Sequence, residues 1–156
     1  MRNYLTTIVS ILFSMSVFAT TPAPIGYWKT IDDVTGKAKA IVEITYNQHK
    51  QLQGRILKVF YEPNKEKQTR CTLCSGDKKN QPIIGMVIMT GLQQANTAIP
   101  RWEGGTILDP KTGKVYRCRL DYDIEKNRVT VRGYIGLPLL GRTQLWERVS
   151  TPDSDQ

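Results

Sequence analysis

VYRCRLDY, residues 115 to 122, decides the fold. Tyr116, Cys118, Leu120 and Tyr122 fall on one side of an extended chain, and Arg117, Arg119 and Asp121 on the other. Successive side chains of a strand point to opposite faces, so this stretch reads as a strand with one apolar face and one wet face. AKAIVEITY, residues 38 to 46, repeats the pattern with Ala38, Ala40, Val42, Ile44 and Tyr46 on one side.

Between such runs lie short clusters of turn formers: Asp32-Asp33-Val34-Thr35-Gly36, Asn47-Gln48-His49-Lys50, Asp109-Pro110-Lys111-Thr112-Gly113 and Glu125-Lys126-Asn127. Their length suits hairpins, because a parallel crossover needs a dozen residues or more. Strands are expected near 26–31, 37–46, 51–61, 83–91, 105–109, 114–122, 127–135 and 142–149. No window carries a convincing helical period, and the nearest to one is a turn or two near 91–97. The expected class is all-β, a single small antiparallel meander closing into an eight-stranded barrel with little helix.

Two segments depart from simple alternation. IIGMVIMTGL, residues 83 to 92, is apolar on both faces, so one face needs a loop, a partner strand or a bound molecule over it. GYIGLPLLG, residues 133 to 141, is an apolar bend in which Pro138 cannot donate to a central ladder. Leu137, Leu139 and Leu140 there either plug the barrel end or form a patch that meets a partner or a lipid.

The first residues, MRNYLTTIVSILFSMSVFA, have the form of a signal peptide: Arg2 beside the N-terminal amine, an apolar stretch from Leu5, and small-residue spacing at Val17-Phe18-Ala19. That stretch is shorter than the ~20 residues a spanning helix needs. Cleavage is expected after Ala19, with Ala23 the second choice. The leader carries no cysteine to anchor a lipid. The expected organisation is a leader 1–19, one domain 20–149 and a frayed polar tail 150–156, in a periplasmic or secreted protein that does not span the membrane.

Export makes disulfides permissible. Cys71, Cys74 and Cys118 follow the leader, and an odd count leaves at least one unpaired within the chain. A Cys71–Cys74 bond closes a four-residue ring, for about 2 kcal/mol in the chain-entropy model. A link to Cys118 would give about 4 kcal/mol. Strand parity, however, points Cys118 into the core, while the other two sit in a charged loop. The pairing therefore stays open among a local staple, a link to Cys118 and a thiol or metal role. A redox Cys-x-x-Cys belongs at a helix N-terminus, and Lys67-Gln68-Thr69-Arg70 before the pair and Ser75-Gly76-Asp77 after it read as irregular loop.

Little else suggests catalysis. The lone histidine, His49, lies in an expected hairpin turn, where imidazoles are ordinarily solvated. Asp109 has a turn role, and Asp121, Glu43, Glu103 and Glu147 show no spacing that pairs them. Cys71, Cys74, Cys118 and His49 lack the second close pair of a strong zinc motif. No catalytic residue, metal or cofactor is assigned. Lys and Arg number 22 against 14 Asp and Glu, for a net charge of +8. An exported chain does not meet nucleic acid. The charge suits either an anionic envelope component or an ordinary solvated sheet face.

Gly26-Tyr27-Trp28-Lys29-Thr30-Ile31-Asp32-Asp33 with Thr35-Gly36-Lys37 resembles the opening of a bacterial family of exported proteins, the domain of unknown function 2147. Cys71-Thr72-Leu73-Cys74, Gln81-Pro82-Ile83-Ile84-Gly85, Gly104 to Pro110, Arg132 to Gly136 and Gly141 to Trp146 extend the resemblance over Gly26 to Val149. It implies a small exported β protein and carries over no activity or catalytic residue. The Gly26-x-Trp28 opening also resembles that of lipocalins, in which an arginine near the barrel end stacks on the tryptophan; Arg148 or Arg142 fits that part. Lipocalin likeness implies binding of small apolar or amphipathic molecules. By strand parity Trp28, Tyr46, Tyr116, Tyr134 and Trp146 are the expected ligand-facing residues. The competing readings are an envelope interaction module using the basic face and the 137–140 bend, and a thiol-dependent enzyme.

Overall fold

The computed structural model describes residues 22–153. The expected leader and the last three residues of the expected tail lie outside them. Eight strands follow in order: β1 (Gly26–Ile31), β2 (Ala38–Tyr46), β3 (Leu52–Val59), β4 (Val87–Gln94), β5 (Arg101–Asp109), β6 (Lys114–Asp123), β7 (Arg128–Tyr134) and β8 (Arg142–Val149). Each pairs antiparallel with the next, and β1 pairs with β8, so the sheet closes on itself. Closure leaves no unpaired edge to recruit another chain. Among the described residues the helical content is two single 3-10 turns, Gly76–Lys78 and Pro138–Leu140.

The meander gives the barrel two different ends. Three short turns, 47–51, 95–100 and 124–127, gather at one end with the start of β1. The connections 32–37, 60–86, 110–113 and 135–141 gather at the other. The first is called the tight end below, and the second the loop end.

Alternation fills the interior. Trp28, Val42, Ile44, Leu52, Met89, Leu92, Trp102, Leu120, Val129 and Trp146 have almost no accessible surface. Eight strands enclose a space that side chains of this size can fill. Where the β4 and β5 backbones cross, only glycine fits: a Cβ on Gly105 would overlap the backbone of Thr90 to Leu92. Neighbouring Gly91 and Gly104 have φ of 77° and 83°, left-handed values that L side chains avoid.

Outward-facing Ile88 and Leu108 alternate with inward Met89 and Ile107, yet they are buried. The 60–86 connection covers them. Cys71, Cys74, Ile83 and Met86 join the same buried cluster. Gly85 donates to the Ile56 carbonyl, Ile56 donates back to Met86, and Gln68 Nε2 donates to the Pro110 carbonyl across the loop. This cover explains the double apolar character of 83–92.

The strand bounds need two corrections. The strand expected at 83–91 runs Val87–Gln94, because Ile83 is held in the loop by donating to the Thr69 carbonyl. The stretch nearest to a helical period, 91–97, holds the end of β4, carried past a bulge at Gly91 to Gln94, and the start of the turn after it. The strand expected at 105–109 begins at Arg101, ahead of a bulge between Trp102 and Gly105 that hid its alternation.

Candidate functional site

The tight end is sealed. Trp28 Nε1–H donates to the Pro24 carbonyl at 2.9 Å, tying the incoming chain across the barrel floor. Tyr122 meets the Trp28 ring edge to face at 5.8 Å between centroids. Above the same ring, 4.3 Å from its centre, stands the Arg148 guanidinium. Arg148 also donates to the Ile25 carbonyl at 2.9 Å and to Asn127 Oδ1 at 2.7 Å. A cation over an indole face gains electrostatic energy, and its N–H groups also satisfy the Ile25 carbonyl and Asn127 Oδ1, which the Tyr122 hydroxyl shares. Arg148 thus takes the stacking role; Arg142 lies at the other end and pairs with Asp33 at 3.2 Å.

Toward the loop end the interior becomes partly accessible. Ile107 and Tyr116 face each other across β5 and β6 and are half-buried, with Gly133 beside them. Gln144 is half-buried too, and its Oε1 accepts from Trp146 Nε1 at 3.3 Å. Below them lies the Cys118 thiol, fully buried and free, with its pKa pushed up to about 12 by burial. A thiol so desolvated is not a nucleophile at neutral pH.

Cys71 and Cys74 are joined to each other. The Cys71 sulfur rests 3.2 Å from the Pro110 carbonyl, a contact rather than a hydrogen bond, since a disulfide sulfur carries no proton. Both cysteines are buried, and the bond closes a tight ring within the covering loop that packs against the β5–β6 turn at Pro110 and Gly113.

The 133–141 bend leaves the barrel rather than plugging it. Arg132 grips it from the outer wall of β7, donating through Nε to the Pro138 carbonyl, through Nη2 to Leu139 at 3.0 Å, and through Nη1 to Thr143 Oγ1. Held this way, Leu137, Leu139 and Leu140 stand 68%, 84% and 79% exposed, and Ile135 68%. The expectation of a plug is overturned: the apolar side chains point to solvent because the bend folds against the outside of β7.

The five expected ligand-facing residues do not share one surface. Trp28 belongs to the tight-end seal and Trp146 to the filled interior. Tyr116 faces the loop-end mouth. Tyr46 ends β2 at the tight end and is 46% exposed. Tyr134 follows the outward parity of Arg132, opposite Arg117, and lies beneath the bend. Two shallow, open depressions lie on the outer surface. One, about 320 Å³, lies between Lys78, Pro82 and Met86; the other, about 360 Å³, lies between Ile99, Tyr122 and Ile124. Sequence reasoning missed Trp102, whose strand is interrupted by Gly104-Gly105, and the grip of Arg132, which no motif announces.

Ionisable groups have structural roles. His49 is exposed in the β2–β3 turn, 3.3 Å from Gln48 Nε2. Asp109 accepts from Lys111 N and Thr112 Oγ1 within its own turn. Asp121 pairs with Arg101 and Arg119 on the outer wall. Asp32 caps the β1–β2 turn. The Thr35 N–H, then its hydroxyl and the Val34 N–H, hold its carboxyl well below the usual carboxylate range. Among the described residues no three His, Cys, Asp or Glu side chains gather as metal ligands, and no helix is long and apolar enough to cross a membrane.

Comparison with known proteins agrees with this architecture. A lipocalin-family protein of known structure, HP1028 from Helicobacter pylori, superposes with a TM-score of 0.67 at 18% identity, covering 83% of this chain and 85% of its own. That likeness establishes the lipocalin-like fold. A search of curated proteins finds no match. The family model described as "Uncharacterized protein conserved in bacteria (DUF2147)" matches residues 26–148, and the chain belongs to that family.

Proposed function

We propose that this is an exported, non-catalytic binding protein whose ligand is a small apolar or amphipathic molecule, met at the loop end of the barrel rather than enclosed within it. Export rests on the leader-like character of residues 1–19. The observation that carries the site is the contrast between the two ends: Trp28 and Arg148 close one, while half-buried Ile107, Tyr116 and Gln144 open onto the other beside the exposed Ile135 and Leu137. An apolar chain fits Ile107 and the Tyr116 ring, and Gln144 supplies a polar group for a head. Mouths of small barrels are common ligand sites. The filled interior limits the ligand to a shallow seat, which sets modest affinity.

Native mass spectrometry of protein recovered from its host envelope tests the reading. A retained adduct of single-lipid mass, displaced by added lysophosphatidylglycerol, is the expected result. A bare protein mass together with no binding of added lysolipid or fatty acid would overturn it.

A further inference from the structure

We propose that the β7–β8 bend is a docking element for an anionic lipid bilayer, a role independent of whether the mouth also takes a single amphiphile. Four large aliphatic side chains, Ile135, Leu137, Leu139 and Leu140, project from one short convex turn with at least two thirds of their surface exposed. Their presentation is prearranged. The Leu140 and Gly141 N–H groups close the 3-10 turn onto Leu137 and Pro138, and Arg132 holds the carbonyls of Pro138 and Leu139. Little ordering is left to complete on contact.

Charge identifies the occupant. From Lys111 to Leu120, and from Val129 to Trp146, the chain holds no Asp or Glu. Arg119 there pairs with Asp121 and Arg142 with Asp33, while Lys111, Lys114, Arg117 and Arg132 form no ion pair among the described residues. These two segments are the neighbouring β6 and β7–β8 walls at the loop end. Arg132 spends its hydrogen bonds on neutral oxygens, so no carboxylate cancels its charge there. Exposed Lys111, Lys114 and Arg117 stand nearest solvent on the same side. A convex aliphatic knob bordered by uncompensated cations matches hydrocarbon lying beneath anionic headgroups. A bilayer yields to such a knob without needing a complementary pocket. An aliphatic prong lacks the central aromatic anchors that usually dominate protein interfaces.

Sedimentation with vesicles tests this, using phosphatidylcholine alone and phosphatidylcholine with about a third phosphatidylglycerol. Purified wild type is compared with Leu139→Asp/Leu140→Asp, two exposed positions where substitution leaves the barrel intact. The comparison cancels any contribution of the N-terminal segment. Wild type is expected to bind the anionic vesicles at low salt and to release at high salt, with the double variant at least about tenfold weaker. Equal binding by the variant, equal binding to the neutral vesicles, or no binding by wild type would each overturn the proposal. So would wild-type self-association that the variant abolishes without vesicle binding, since the prong would then dock a second copy. Unchanged lysolipid adducts in the double variant separate failure here from failure of the mouth reading.

Discussion

Removing Arg148 should open the tight end and cost the fold dearly for one partly exposed residue. The guanidinium stacks 4.3 Å over Trp28 and donates to the Ile25 carbonyl at 2.9 Å and to Asn127 Oδ1 at 2.7 Å. A cation–π contact with some solvent access is worth about 0.5–1 kcal/mol. Charge-assisted hydrogen bonds reach about 1.5–3 kcal/mol each when buried, and partial exposure brings these two nearer about 1 kcal/mol apiece. Arg148→Ala should therefore destabilise by about 3 kcal/mol. Urea unfolding followed by tryptophan fluorescence reads this directly. With a slope near 1.5–2 kcal/mol/M for a chain of this size, the midpoint should fall by about 1.5–2 M. Arg148→Lys keeps the charge over the ring but loses the planar fork, so it should lose about half as much. Gly26→Ala should reproduce much of the effect without touching Arg148. Its methyl would come within 2.5 Å of Arg148 Nη1, and the backbone there has φ of 127°. Stability within about 0.5 kcal/mol of wild type for Arg148→Ala would refute the seal as an energetic unit.

Three further outcomes follow from the same geometry. Cys71→Ala/Cys74→Ala should cost about 2 kcal/mol through the lost four-residue ring, and faster proteolysis should be confined to 60–86, measured by limited digestion and urea melts. Thiol titration should find no reactive group in the native protein, because Cys118 is buried with its pKa pushed up to about 12, and one after denaturation without reductant. Asp32→Asn should destabilise at neutral pH. The folded carboxyl pKa lies below its unfolded value, so the stabilisation is present above about pH 4 and fades as the pH falls through the folded value. The gap between the variant and wild-type curves must close on acidification.

Much of this was readable from alternation. Residues 115–122 and 38–46 show period two because one side of each meets the core and the other meets water. The stacking of an arginine on Trp28 is expected from the resemblance of Gly26-x-Trp28 to the lipocalin opening, and Arg148 takes that part. Legibility ended where burial was set by a distant segment. Ile88 and Leu108 face outward and are buried only because the stapled loop crosses them, so β4 lost its period and its true start at Val87. Gly104 hid Trp102 by the same kind of interruption, a bulge that shifts parity in mid-strand. The expectation puts Tyr134 on the wrong face: Val129 and Val131 set the interior side of β7, and parity counted from them sends Tyr134 outward. The direction of the 137–140 leucines depended on Arg132, whose three acceptors come together only in the folded chain.

The central claim is that binding belongs to the loop end of a barrel whose interior is filled and whose other end is shut. Backbone amide chemical-shift mapping during titration with lysophosphatidylglycerol, kept below its micelle concentration, tests it directly. Perturbations should gather at Thr106 to Arg117, Gly133 to Gln144 and the 32–37 turn, with the indole N–H signals of Trp28 and Trp102 unmoved. Shifts centred on those two indoles, or on Leu52 and Leu120 deep in the barrel, would contradict it.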